Sequence, residues 1–151
     1  MADTQEIDSR LGRQVVSLDK VIHFPRGIIG FEDRKDFTLL QIRPDAPFLV
    51  LQSMTDSGLG LLVADPYSFM DAYPLRAGDA EQKILQVASL EEVAVLVTVS
   101  IPHGKPEEMF LSLTGPILIN HAARIGMQVP QTDFAGSPKL HLNTLNMQPK
   151  G

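Results

Sequence analysis

Four histidines, His23, His103, His121 and His141, are the side chains best suited to hold a metal or move a proton near neutral pH. No two of them stand at i, i+2 or i, i+4, and no H-x-x-E or H-E-x-x-H pattern occurs. No single helix or strand can therefore present a ligand pair. His103 lies in Pro102-His-Gly-Lys-Pro106, whose composition reads as a solvated loop. Cysteine is absent, which removes disulfides, thiolate metal sites and cysteine nucleophiles. There is no G-x-S-x-G elbow, no phosphate loop and no dinucleotide fingerprint. Gly27-Ile-Ile-Gly30 separates its glycines with apolar residues and lacks a following Lys-Ser/Thr. It reads instead as a turn where two backbone positions need positive φ or a close approach. No catalytic, cofactor-binding or metal-ligating residue is expected. The alternative readings are a small β-barrel metal-dependent enzyme built from scattered histidines and carboxylates, and a nucleic-acid-binding module.

Charge argues against the second alternative. The net charge is −5, and residues 44–92 hold Asp45, Asp56, Asp65, Asp71, Asp79, Glu81, Glu91 and Glu92 against Arg76 and Lys83. Binding to phosphates needs clustered cations, which this chain lacks, so no direct nucleic-acid contact is expected. An acidic stretch instead favours a basic protein partner through steering and complementarity, or simply keeps a face solvated. Apolar runs are far shorter than a membrane span. The polar start Met1-Ala-Asp-Thr-Gln-Glu does not read as a signal peptide, and the expected compartment is the cytoplasm.

At 151 residues, with 44% apolar and 21% charged, the chain suits one domain with its own core. The most regular segment is Val93-Ala-Val-Leu-Val-Thr-Val-Ser-Ile101, where every odd position is β-branched, which predicts a strand. Met109–Leu113 should return beside it. Phe48–Met54 and Leu59–Ala64 flank Thr55-Asp-Ser-Gly58 and predict a second hairpin. Phe37–Ile42, Val21–Phe24 and Pro116–Asn120 read as further strands, with Gly126–Val129 and Leu140–Leu142 as weaker ones. Asp79–Leu85 suits a short helix with Asp79 at its N-cap, and Ser89 with Glu92 fits a capping box on a single turn. The pattern predicts an antiparallel barrel or sandwich. The expected organisation is a flexible N-terminus over 1–12, a domain over 13–130 and a partly flexible tail over 131–151.

One segment remains: Phe24-Pro-Arg-Gly-Ile-Ile-Gly-Phe-Glu32. It resembles the opening motif of the flagellar assembly factor FliW family. So do Phe48-x-x-Leu51-Gln52-Ser53, Asp65-Pro66 with Tyr73, Leu90-Glu-Glu-Val-Ala-Val-Leu96, Ile101-Pro102, Leu113-Thr-Gly-Pro116-Ile-Leu-Ile-Asn120 and Gly126-Met-Gln128. The series matches in order over residues 20 to 130; Ser112, Gly115 and the tail after Val129 depart from it. The motif positions are Gly27, Gly30, Phe31, Glu32, Gln52, Ser53, Asp65, Pro66, Pro116 and Asn120. The resemblance implies a mainly β, small antiparallel β-barrel-like single domain with one or two short helices and no catalytic activity. It further implies cytoplasmic binding of flagellin and of CsrA, a basic RNA-binding protein that represses flagellin translation, with no small-molecule substrate, membrane or nucleic acid as partner. For the CsrA-type partner the candidate residues are Asp65, Asp71, Asp79, Glu81, Glu91 and Glu92. For flagellin they are the apolar Ile28, Ile29, Phe31 and Phe110.

Overall fold

A computed structural model describes residues 3–44, 46–132, 134 and 136–142. The chain begins with a hairpin, β1 (Thr4–Ser9) and β2 (Gly12–Ser17), paired from Thr4↔Ser17 to Ser9↔Gly12. Then follow β3 (Ile22–His23), β4 (Asp36–Gln41), β5 (Phe48–Ser53), β6 (Gly60–Ala64), α1 (Asp79–Leu85), β7 (Ala94–Ser100), β8 (Phe110–Asn120), β9 (Ile125–Gln128) and β10 (Lys139–His141). Strands β3 to β9 close into a seven-stranded barrel, and β10 pairs with β8 outside the ring. Every ladder is antiparallel except the closure, a parallel bridge between His23 and Ile125. Among the described residues the architecture is thus mainly β with one short α-helix, α1.

Strand alternation divides the apolar residues between two cores. Phe24, Phe37, Leu51, Val63, Leu96, Ile117 and Ile119 fill the barrel interior. Val95, Val97, Leu111, Leu113, Leu118 and Met127 face outward and are covered by the segment from Tyr73 through Leu85 and by Leu142. The crossover between β6 and β7 therefore forms a second layer. Asn120, at the end of β8, donates its amide to Leu85 O at 2.9 Å and Gln86 O at 3.4 Å, satisfying carbonyls at the end of α1. The same side chain accepts from Ala122 N–H and orders the turn into β9.

Four features differ from the sequence reading. Residues 4–17 form a hairpin across the expected boundary at 12, where a flexible start was expected. Its inner face supplies only Ile7 and Val16, so its strands are too polar to read as half-buried. Met109–Leu113 and Pro116–Asn120 are one strand, with a register shift that sets Leu96 opposite Ile117 but Thr98 opposite Ser112. Pro116 sits in that irregularity, where its missing N–H breaks no ladder. Gly78, not Asp79, is the N-cap of α1, and Glu81 accepts from its N–H at 3.1 Å. Within the expected tail, β10 pairs with β8 and Leu142 is buried; the rest of that expectation, from residue 143, lies outside the described residues.

Tyr73 ties the second layer to the barrel. Its ring packs on Phe134 at 5.5 Å between centroids, and its hydroxyl donates to Leu113 O. Burial, and secondarily the Tyr67 phenol, pushes its pKa up to about 12. A raised acid pKa leaves stability intact below the unfolded value near 10 and removes it as pH rises toward 12. Urea melts should therefore show stability falling over that alkaline window. Tyr73→Phe should flatten the fall and lower stability at neutral pH by about 1 kcal/mol through the lost hydrogen bond.

Candidate functional site

The turn after β3 is held from both ends. Gly27 adopts φ 66°, and a Cβ there would stand 2.6 Å from the backbone of Glu32, so only glycine allows the loop to fold back on itself. Phe31 N–H donates to Ile28 O at 2.7 Å, and Arg34 N–H to Phe31 O at 3.0 Å. The Glu32 carboxylate accepts from Gly30 N–H at 3.0 Å, which holds its pKa below the usual carboxylate range. Gln128 on β9 braces the loop from outside: its Oε1 accepts from Ile29 N–H at 3.1 Å while its Nε2 donates to Gly115 O at 3.0 Å. This frame turns Ile29 and Phe31 outward, 57% and 42% exposed. A cleft of about 320 Å³ opens beside Ile29, lined also by Met127, Val129 and Pro130 and by the charged Arg26, Glu32 and Glu81.

The four apolar candidates do not form one surface. Ile28 is 3% exposed and belongs to the barrel core, so it is unavailable as an anchor; in this turn adjacent isoleucines point opposite ways. Phe110 lies at the start of β8, flanked by the His141 ring and by Lys139 Nζ 4.6 Å above its own ring, whereas Gln128 faces Ile117 in the other half of that strand. Ile29 and Phe31 remain together.

The acidic candidates divide by what their carboxylates already do. Asp65 accepts from Tyr67 N–H at 2.9 Å, capping the tight helical turn that Pro66 begins. Glu81 caps Gly78. Glu92 accepts from Ala88 and Ser89 N–H at 2.8 and 2.9 Å, completing the capping box read from the sequence. Asp71, Asp79 and Glu91 are exposed, and their carboxylates pair with none of the described residues.

Most motif positions have local structural duties. Gln52, fully buried, donates to Ser53, Asp56 and Ser57 carbonyls and accepts from Arg10 N–H at 3.0 Å, joining the β5–β6 turn to the N-terminal hairpin. Ser53 Oγ accepts from Thr55 and Asp56 N–H in that turn. Gly30 takes φ 90° at the loop tip. Of the ten motif positions named above, only Phe31 is a large apolar side chain left in water.

A second concave surface draws on residues the sequence reading did not group. Leu39, Leu49, Tyr67, Val93, Ala94 and His121 line one open end of the barrel. They come from five separated segments, so no spacing could have revealed them. Among the described residues no cluster of three or more His, Asp or Glu is placed to hold a metal, and no helix is long and apolar enough to cross a membrane.

The family model described as FliW protein matches residues 6–142. A flagellar assembly factor FliW of Nitratidesulfovibrio vulgaris is 64% identical over 138 residues, covering 91% of this chain and 80% of the relative. One of Desulfovibrio desulfuricans is 56% identical over 142 residues, covering 93% and 85%. A crystal structure of the flagellar assembly factor FliW superposes with a TM-score of 0.83 at 29% identity, covering 91% of this chain and 96% of that one.

The bracing of the loop has a direct readout. Gln128→Ala should leave the barrel folded, lower stability by about 1 kcal/mol and accelerate amide exchange at Ile29 well beyond that at Leu118. Equal exchange at Ile29 in both proteins would show that the loop holds its shape without Gln128.

Proposed function

Since the chain belongs to the FliW family of flagellar assembly factors, we propose that it is a non-enzymatic, cytoplasmic flagellin-binding chaperone that also binds and antagonises the translational regulator CsrA. The observation that carries the flagellin half is the braced loop. An apolar side chain left in water by a mobile loop could fold inward, but Gln128, Gly27 and Glu32 hold Ile29 and Phe31 outward, with Ile29 at the edge of a cleft of mixed apolar and charged lining. Preorganisation of this kind lowers the ordering cost of binding. Aromatic and aliphatic anchors in such a position suit the apolar stripe of an amphipathic assembly helix.

The regulator half rests on charge. Asp71, Asp79 and Glu91 have carboxylates free of the capping duties that occupy Asp65, Glu81 and Glu92, so they offer negative potential to a basic partner at no cost to the fold. If the two partners exclude one another, a molecule occupied by unexported flagellin cannot sequester the regulator, and the coupling is reciprocal. Export of flagellin then frees the protein to take up the regulator, and translation resumes.

A pull-down from cytoplasmic extract should retain flagellin and a small basic RNA-binding protein, with addition of one displacing the other. Retention of neither overturns the reading. Phe31→Ala, still folded, should weaken flagellin binding by about 2 kcal/mol or more, roughly thirtyfold; unchanged titration curves would remove Phe31 from the interface. Reversing Asp71 and Asp79 together to lysine should slow association with the regulator and flatten its salt dependence, as stopped-flow measurements at low ionic strength would reveal.

A further inference from the structure

Strands β1 and β2 pair only with each other and form a two-stranded sheet separate from that of the barrel. The outer face of this hairpin pairs its own charges, Arg13 reaching Glu6 and Asp8 at 3.5 Å each. Its inner face buries only Ile7 and Val16. Among the described residues one hydrogen bond joins residues 4–17 to the barrel, from Arg10 N–H to Gln52 Oε1 at 3.0 Å.

The barrel builds the receptor for that bond by itself. Gln52 Nε2 donates to Ser53 O at 3.2 Å and to Asp56 O at 3.1 Å, so its Oε1 stays aimed outward whether or not the hairpin is seated. Gly60 beside it is bare: a Cβ there would stand 2.6 Å from Arg10 Cγ and 2.9 Å from Val50 Cγ1. This slot receives the hairpin tip. When the tip leaves, water bonds the Gln52 oxygen and no buried acceptor is orphaned.

The base is held differently. Just past β2, Leu18 O accepts from the Arg124 guanidinium at 3.1 Å and Lys20 O from the Thr38 hydroxyl at 3.3 Å. Both pins lie on the tight turn Leu18–Lys20 that leads into β3. The hairpin is therefore fastened at its base and clasped at its tip, with little apolar area between. Gln14 of β2 also lines a cleft of about 740 Å³ together with Leu39, Leu49 and Arg124, so the hairpin forms one wall of it.

We propose that the N-terminal hairpin is a hinged flap, which swings away about Leu18–Lys20, releases the clasp at Gln52 and Gly60, and withdraws that wall while the barrel stays folded. Opening gives up one neutral hydrogen bond and the cover over a few apolar side chains, far less than unfolding the barrel. Segments with so little buried apolar area lie at the low-stability end of a native protein. A lone two-stranded hairpin is marginal in water, so the flap also loosens internally once it leaves. None of this depends on which partners the protein binds.

The chain has no cysteine, so single cysteines can report the opening. Val16→Cys places a thiol on the inner face of the flap, Val50→Cys one beneath it on β5, and Val63→Cys one in the barrel interior; all three positions are buried. Cysteine behaves as a small hydrophobe, and circular dichroism verifies that each variant folds. Labelling with dithiobis(nitrobenzoate) under native conditions should give Val16→Cys and Val50→Cys opening constants equal within about threefold. Both should exceed that of Val63→Cys about a hundredfold or more, with a shallower urea dependence. The unmodified chain offers an independent measure: the Arg10 amide, corrected for its intrinsic rate, should exchange about a hundredfold or more faster than that of Leu118. A single opening constant and urea slope for all three thiols, unequal constants at Val16 and Val50, or an Arg10 amide as protected as Leu118 would overturn the proposal.

Discussion

The barrel closes where Phe24 lies against the one position of β9 that carries no side chain, Gly126. A Cβ on Gly126 would stand 2.5 Å from the Phe24 ring, so the contact exists only because β9 is bare at that point. Phe24 is fully buried and meets Phe37 of β4 edge to face at 5.3 Å between centroids, which backs the β3 side of the seam with an aromatic pair. The seam needs that help, since β3 is two residues long and joins β9 through one parallel bridge and the His23 N–H to Arg124 O bond at 2.9 Å. Without closure, two strand edges would be left open to other chains. The turn bearing Ile29 and Phe31 starts at Phe24, and its brace, Gln128, lies two residues beyond Gly126. Barrel closure and the shape of the exposed loop are therefore settled by the same few residues.

Buried amides then fasten the outer layers. Gln52 joins the N-terminal hairpin to the barrel and Asn120 fixes α1. Gln131 both donates to and accepts from the backbone of Arg76, at 2.8 Å each way. Among the described residues no buried side-chain polar atom lacks a partner. Each of these amides would be costly to leave unpaired, so it specifies one seating of the layer it holds. The same economy explains why half of the acidic candidates are caps. In a chain with little regular helix, the turns around Pro66, Gly78 and Ser89 need acceptors for their free N–H groups, and carboxylates supply them.

What could be read in advance follows from the range of the forces involved. The β7 strand was legible because β-branched residues alternate along it, and the Ser89–Glu92 box because a cap is a four-residue affair. The N-terminal hairpin was not: one residue in Thr4–Ser9 is buried, and the hairpin is tied down at its tip by Gln52 on β5, over forty positions later. The break at Gly115-Pro116 suggested two strands, and it is their common partner β7, which pairs with both halves, that makes them one. The motif Phe24–Glu32 marked the loop correctly as a turn, but could not say which isoleucine faces water. That choice is made by Gln128, 99 residues away.

The hairpin has one more implication. It lies over the outer side of β5, where Val50 and Gln52 are buried, and over Gly60, whose bare Cα leaves room for the Arg10 side chain. Only Ile7 and Val16 are buried on its own account, so it behaves as a gasket clamped at its tip and not as part of the wall. Peeling it back would unveil Val50 and the otherwise buried amide of Gln52 on the outer side of β5. About fifteen mostly polar residues that add little to the core thus keep that face of β5 from water.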